Sequence, residues 1–291
     1  MDREDRIKIF NETVKIVSSG KYKNKKGEFV YINKEVNGKT IDDAIMYDND
    51  IKKQIDFETR CHCNTRITVV NQDCLYAAKE LINNGLHPAV INNASFVHPG
   101  GGVRNGSAAQ EENICRRSNL FESIFRFDET LSKEYNLTNS TDKHYPLNLN
   151  YGAIYSPSIT VFRAGEDKNY ELLEEPYTID VITIAAIKKP TLLDGRKLEH
   201  RTKIVLKRKV EHMLNIALAN DNDSVILGAF GCGAYGIPPE EMASIFKEVI
   251  MSKEYCDKFS ALVFAIIDDK NSYRAHNPNG NFKPFNDIIL S

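Results

Sequence analysis

Residues 87–102 read HPAVINNASFVHPGGG, a short apolar run that passes directly into three glycines. The run has the length of a buried strand, and Gly100, Gly101 and Gly102 leave the backbone behind it bare. After the interval VRNGSAA stand Gln110, Glu111 and Glu112, at the head of a stretch patterned as a helix. A second junction of this kind lies at 224–236, where the apolar run SVILGAF enters GCGAYG ahead of another helical pattern. Two glycine loops that each follow a strand belong to an open α/β sheet, whose ligands bind beyond the carboxyl ends of its strands. Neither loop fits GxxxxGK[ST] or GxGxxG, so a Walker loop and a standard dinucleotide fingerprint are both poor descriptions.

Outward from these loops, apolar runs alternate with amphipathic helices. RITVVN reads as a strand, and Asp73 as the cap of a helix carrying Leu75, Ala78, Leu81 and Ile82. Glu111 to Phe125 reads as one helix, with Ile114, Phe121, Ile124 and Phe125 inward. GAIYSP and ITVFR read as two short strands, and DVITIAAI and ALVFAII as buried ones. Residues 207–220 and the segment after GCGAYG read as helices, the latter with Met242, Ile245, Phe246, Val249 and Ile250 on one face. Residues 128–150, rich in Asn, Thr, Ser and Lys, read as an exposed connection. The first 60 residues are polar. Within them Arg6 to Ser19 predicts a helix with Phe10, Val14 and Val17 on one side, stopped by Gly20. KYKNKKGEFVYI predicts a hairpin turning at Gly27. The simplest organisation is an accessory extension over 1–60 and one main domain over 61–291, which the resemblance given below makes the catalytic domain.

Composition narrows the function classes. The 291 residues are 42% hydrophobic and 27% charged, ordinary for a globular chain, and the formal charge of −2 offers no footprint for sequence-specific nucleic-acid binding. The charged start MDREDRIKIFNE lacks the apolar core of a secretory signal, and no apolar run is long enough to span a membrane. The expected compartment is the cytoplasm, or the nucleus in a eukaryotic source. Six cysteines are too few for a disulfide scaffold, and Cys74 and Cys115 read as small core residues. Cys61-His62-Cys63 invites a zinc reading, but no second ligand pair follows at finger spacing.

Bare backbone N–H groups approach an anion closely, and a helix N-terminus adds partial positive charge. Two such loops can grip the two phosphates of a diphosphate. Glu111 and Glu112 are neighbours on a helix, separated by about 100°, unlike the opposed pair of an ordinary glycosidase. One of them must carry the proton alone.

These motifs, with VVNQDCLYAAKEL, QEENICRRSNLFESI and LGAFGCGAYGIPPEEMASIFKEVI, resemble the bacterial-type poly(ADP-ribose) glycohydrolases of the macrodomain family. The likeness runs from the N-terminal helix to ALVFAIIDD. It implies a macrodomain-like three-layer α/β/α sandwich with a mixed sheet and an N-terminal helical and hairpin extension. It implies hydrolysis of ribose–ribose O-glycosidic bonds, with poly(ADP-ribose) or ADP-ribosylated proteins as partners, ADP-ribose as product ligand, and no cofactor or metal. Residue by residue, Glu112 matches the general acid and base, and Glu111 the group that positions the ribose. Gly100, Gly101, Gly102 and Gln110 would line the ribose and diphosphate, with Asn92 beside them. Gly231, Gly233, Ala234 and Tyr235 match the diphosphate loop, and Asp73 an acid that hydrogen-bonds adenine. Three positions depart from the family pattern: Ser95 and Ile237 stand where asparagine is frequent, and Tyr235 where phenylalanine is.

Two other functions stay open at this level. Removal of single ADP-ribose units from protein or nucleic acid would use the same acid. A reader that binds ADP-ribose without cutting it would need neither Glu111 nor Glu112. Of the remaining polar residues, His98 reads as a turn residue, His212 as a surface one, and the run KIVLKRK at 203–209 as a solvated helix face. Arg116 or Arg117 would anchor its helix or contact phosphate.

Overall fold

A strand buried on both faces needs apolar residues at every position rather than every second one, and Ser224–Leu227 and Ala261–Ala265 are buried throughout. A computed structural model describes residues 1–32, 38–58, 64–140 and 142–291, with the backbone alone at 35 and 36. The Cys61-His62-Cys63 run lies outside the described residues. The chain divides into two compact units interleaved in sequence. The first holds Met1–Met46, Ala94–Leu147 and Ile154–Thr183; the second holds Tyr47–Asn93, Asn148–Ala153 and Ile184–Ser291.

In the second unit four parallel strands lie in the order Pro88–Asn93, Ser224–Leu227, Ala261–Ala265, Arg66–Val70. Their register sets Pro88, Ser224, Ala261 and Arg66 level with one another. All four carboxyl ends therefore open on the same edge. The helix Cys74–Asn83 carries the chain from Arg66–Val70 across two strands to Pro88–Asn93, whereas Pro239–Ile250 steps back from Ser224–Leu227 to Ala261–Ala265. Right-handed crossovers in opposite directions put these helices on opposite faces, which makes three layers. On the second face, Phe246 meets Phe264 edge-on at 5.2 Å, and Phe285 of the helix Phe282–Ile289 packs 5.8 Å from Phe264.

In the first unit the strands lie in the order Ile45–Tyr47, Ala153–Arg163, Leu172–Ile184. The last two are joined by a connection too short for a parallel crossover, so they run antiparallel and the strand set as a whole is mixed. The helix Arg3–Ser19 is capped by Asp2, whose side chain accepts from Asp5 N, and ends at Gly20 in the left-handed region, φ 69°. It buries Phe10, Thr13, Ile16 and Val17. Phe10 stacks edge-on with Phe121 at 5.6 Å, and Phe121 with Phe125 at 5.7 Å, the centre of this unit's core.

Several elements depart from the sequence expectation. The single helix expected over 111–125 is two, Gln110–Arg117 and Leu120–Phe125, broken at Ser118 in extended geometry. Ser118 bridges to Val161, an exchange that a period-3.6 pattern does not reveal. The two short strands form one, Ala153–Arg163, which absorbs Ser158 at φ 56° because Asp180 Oδ1 accepts from its amide at 3.0 Å. The stretch 128–150 is not merely an exposed connection: Asp128 caps the helix Glu129–Glu134, and Leu131 and Leu147 are buried. The helix expected from 207 begins at His200.

Candidate active site

The loop after Pro88–Asn93 closes by successive turns, Gly101 N to His98 O at 2.9 Å and Val103 N to Gly100 O at 3.1 Å. Each glycine has its own reason. Gly100 has φ 73°, and a Cβ there would lie 2.9 Å from the Phe125 ring. Gly101 has φ 56°, and its Cβ would lie 2.5 Å from Glu112 Oε1 and 3.0 Å from Glu111 Oε2. A Cβ on Gly102 would meet Ser107 Oγ at 2.3 Å. Gly101 is thus the position where the bare backbone admits both carboxylates.

Those carboxylates differ in what they hold. Glu111 accepts from Ser95 N at 2.7 Å through Oε2 and from Gly100 N at 3.0 Å through Oε1. Glu112 Oε1 accepts from Gly102 N at 2.8 Å, while its Oε2, equally buried, has no hydrogen-bond partner among the described residues. Both side chains are buried, at 3% and 7% exposure. Helical spacing alone sets the pair apart, yet both converge on Gly101, because the loop folds back over the first turn of the helix. Acidic groups there are favoured by the unsatisfied N–H groups of that turn. Gln110, half-buried, begins the helix. Behind it, burial pushes the Cys115 thiol well up, and Glu111 and Glu112 add to the effect, so this sulfur stays protonated and inert.

The helix is held from behind by buried polar groups. Thr13 Oγ1 donates to Arg116 O at 2.7 Å. Arg116 and Arg117 are both fully buried: Arg116 Nε donates to Tyr170 Oη at 3.1 Å, and Arg117 bonds Asn113 Oδ1 at 3.1 Å and Arg163 O at 3.3 Å. Both arginines are anchors. Burial pushes the Tyr170 phenol up against the pull of Arg116, so it remains neutral, accepts also from Asn113 Nδ2, and donates to Glu166. On the loop's outer side, the Arg3 guanidinium donates to Asn105 O, and Gly106, at φ 71°, has no room for a Cβ beside Arg3 O. Of these positions only Arg116 and Arg117 stood out in the sequence; Thr13, Tyr170 and Arg3 did not, though Asn105-Gly106 is a turn-forming pair, and the amides of Ser95 and Gly100 carry no side-chain signal. His98 is exposed, with its backbone in the turn, as the sequence suggested.

The second unit gathers the other predicted residues at its carboxyl edge. Asn92 is fully buried near the end of its strand. Asp73 caps the helix Cys74–Asn83, accepting from Leu75 N at 3.0 Å and Tyr76 N at 3.2 Å. Gly231 stands at φ 75°, with Ile237 and Ala186 where a side chain would go. The loop is braced from outside, for Cys232 O lies 2.8 Å from His276 Nε2 and accepts from Asn277 Nδ2 at 3.2 Å. Gly233 and Tyr235 are half-buried and Ala234 exposed, and Tyr235 O accepts from Lys189 N at 2.7 Å. Ile237, a departure from the family pattern, is a fully buried plug beneath Gly231. Two other expectations are corrected. His212 is buried against Tyr47 and Tyr151 rather than on the surface. In KIVLKRK, Lys209 is buried, while Lys203 and Lys207 pair with Glu241 and Glu248. Among the described residues, no three His, Cys, Asp or Glu side chains gather as a metal site, and no helix is long and apolar enough to cross a membrane.

Comparison with known proteins gives the family and the fold. The family signature "Microbial-type PARG, catalytic domain" matches residues 11–164, which take in the second half of the helix Arg3–Ser19, both carboxylates and the strand Ala153–Arg163. The chain belongs to the microbial-type PARG family. PARG abbreviates poly(ADP-ribose) glycohydrolase, a hydrolase of O-glycosyl bonds. The crystal structure of the PARG from Thermomonospora curvata bound to the inhibitor ADP-HPD is similar over 97% of this chain and 98% of that one, with 28% identity and a TM-score of 0.77. The PARG from Deinococcus radiodurans in complex with ADP-ribose shares the fold at 22% identity, covering 86% of this chain and 95% of that one, with a TM-score of 0.66. The macro domain-containing protein VPA0103 of Vibrio parahaemolyticus is 43% identical over 53 residues, 18% of this chain. That match spans 31% of the Vibrio protein's length. The mixed, three-layer α/β architecture is that of the PARG fold.

Proposed function

We propose that this PARG cleaves the ribose–ribose bond of poly(ADP-ribose) with Glu112 as its general acid and base. The observation that carries the assignment is the unpartnered Glu112 Oε2: both Glu111 oxygens accept from backbone amides, and Glu112 Oε2 is left to exchange a proton with substrate. A reader of ADP-ribose gains nothing from a buried carboxylate oxygen without a donor, which costs free energy.

In this scheme the protonated Oε2 donates to the leaving ribose oxygen as the glycosidic bond breaks. Positive charge develops at the anomeric carbon, and no opposed carboxylate meets it. The substrate's own diphosphate supplies the compensating negative charge. Glu112 then takes a proton from water as the water adds to that carbon, restoring the acid. Glu111 holds the loop amides of Ser95 and Gly100 and orients the ribose. Gly100–Gly102 and Gly231, Gly233, Ala234 and Tyr235 present backbone to the ribose and diphosphate, with Gln110 and Asn92 beside them and Asp73 toward adenine. Ser95 acts through its amide, so the missing asparagine side chain costs this role nothing.

Glu112→Gln keeps the size and the Gly102 contact while removing the proton. Release of ADP-ribose from polymer should fall by about 10²–10⁴-fold or more, with ADP-ribose affinity, measured by calorimetry, within a few fold of the parent. Near-normal turnover would sink the assignment. Release from mono-modified protein in preference to polymer would move the substrate to single ADP-ribose units.

A further inference from the structure

The strands Lys21–Lys23 and Phe29–Tyr31 form an antiparallel hairpin, with Lys21 opposite Tyr31 and Lys23 opposite Phe29. Alternation turns Tyr22 inward, where its ring lies 5.9 Å from Phe162 and its hydroxyl donates to Leu173 O at 2.7 Å. The opposite face carries Lys21, Lys23, Phe29 and Tyr31 together. Phe29 is 53% and Tyr31 64% exposed, two neighbouring rings on one face rather than apolar residues scattered singly. Lys21 Nζ stands 4.6 Å and Lys23 Nζ 5.2 Å from the Phe29 centroid. Neither ammonium has a carboxylate partner among the described residues, whereas Lys25 at the turn pairs with Glu171 at 2.7 Å.

We infer that this face is a second binding surface for poly(ADP-ribose), which stacks adenines on Phe29 and Tyr31 and pairs phosphates with Lys21 and Lys23. The inference rests on the glycohydrolase reading above. Exposed rings interleaved with unpaired cations are what a single-stranded polyanion with flat bases requires. Poly(ADP-ribose) offers an adenine and a diphosphate in every unit. An acidic peptide would satisfy the lysines and leave both rings in water. The placement also fits a polymer. The first turn of Arg3–Ser19 touches the catalytic loop at Asn105, and its last residue leads through Gly20 into the hairpin. At 1.5 Å per residue that helix is about 25 Å long, so the hairpin serves units beyond the one seated at Glu112.

The test compares the full chain with a Phe29→Ala/Tyr31→Ala variant and a Lys21→Gln/Lys23→Gln variant, on polymer tens of units long and on a two-unit fragment. For the ring variant, KM on long polymer should rise at least 10-fold while kcat/KM on the fragment stays within twofold. The lysine variant should flatten the salt dependence of KM on long polymer. Unchanged KM on long polymer overturns the inference, as does an equal loss on both substrates, which marks damage to the fold. Loss of single-stranded oligoadenylate binding with polymer KM intact also overturns it, and makes nucleic acid the partner. If the parent chain cleaves neither substrate, the activity reading fails separately. Retention of polymer by the parent and its loss in the ring variant would still support the surface.

Discussion

Glu111 and Glu112 are identical in chemistry and adjacent in sequence, and their backbone partners separate them. Amides engage both oxygens of Glu111; a single amide leaves Glu112 with a buried, unpaired oxygen among the described residues. Gly101 is the position where both meet, so its side chain is where the distinction is most easily lost. Gly101→Ala would force an L side chain to φ 56° with its methyl 2.5 Å from Glu112 Oε1. Alanine at a positive φ costs on the order of 1 kcal/mol or more, and the carboxylate must also move. Turnover of polymer should fall at least 10-fold with the circular dichroism spectrum unchanged; a fully active variant would show that the loop tolerates a side chain and that Glu112 is not held there.

At the scale of elements, the helix Gln110–Arg117 is short, and its N-cap, Ala109, makes no side-chain bond. Its position is set from behind by Arg3–Ser19. Thr13 is fully buried and serves twice, donating to Arg116 O at 2.7 Å and accepting from Arg163 Nε at 3.0 Å. Burial pushes the Arg163 guanidinium down, which makes each of its remaining partners count. Thr13→Val keeps the shape and strands both groups. It should cost about 1–3 kcal/mol in urea unfolding and lower kcat along with stability. A loss below about 0.5 kcal/mol would mean that the helix is held elsewhere. The break at Ser118 belongs to this scale too: Ser118 pairs with Val161, more than forty residues away in sequence, so the apolar period continues across a residue that is extended.

For the molecule as a whole, a buried imidazole makes stability depend on pH on the acid side. Burial pushes the His212 imidazole from an ordinary 6.5 down to about 4, with Lys209 adding to the effect and Asp50 opposing it. Between those values the unfolded chain binds a proton that the folded chain does not. The stability this imidazole contributes is therefore full above about pH 6.5 and declines as pH falls toward 4, by at most about 1.4 kcal/mol per pH unit. His212→Phe keeps a ring beside Tyr47 and Tyr151 and removes the titration. The urea midpoint of the variant should fall less than that of the parent between pH 7 and pH 5; an identical decline in both would assign the acid sensitivity to other groups.

The strand–glycine junctions at 87–102 and 224–236, the amphipathic helices and the carboxylate pair were legible because each is local: period, bare backbone and residue type are written in adjacent positions. That is why the α/β class and the family could be read from residues alone. The tertiary structure decided what depends on distant partners. It assigned the amides of Ser95 and Gly100 to Glu111, left Glu112 Oε2 unpaired, buried His212 and Lys209 in a helix that looked partly solvated, and turned Phe29 and Tyr31 outward. Backbone donors have no letter in the sequence, and burial is fixed by what packs against a residue, so neither is encoded within a window of neighbouring residues.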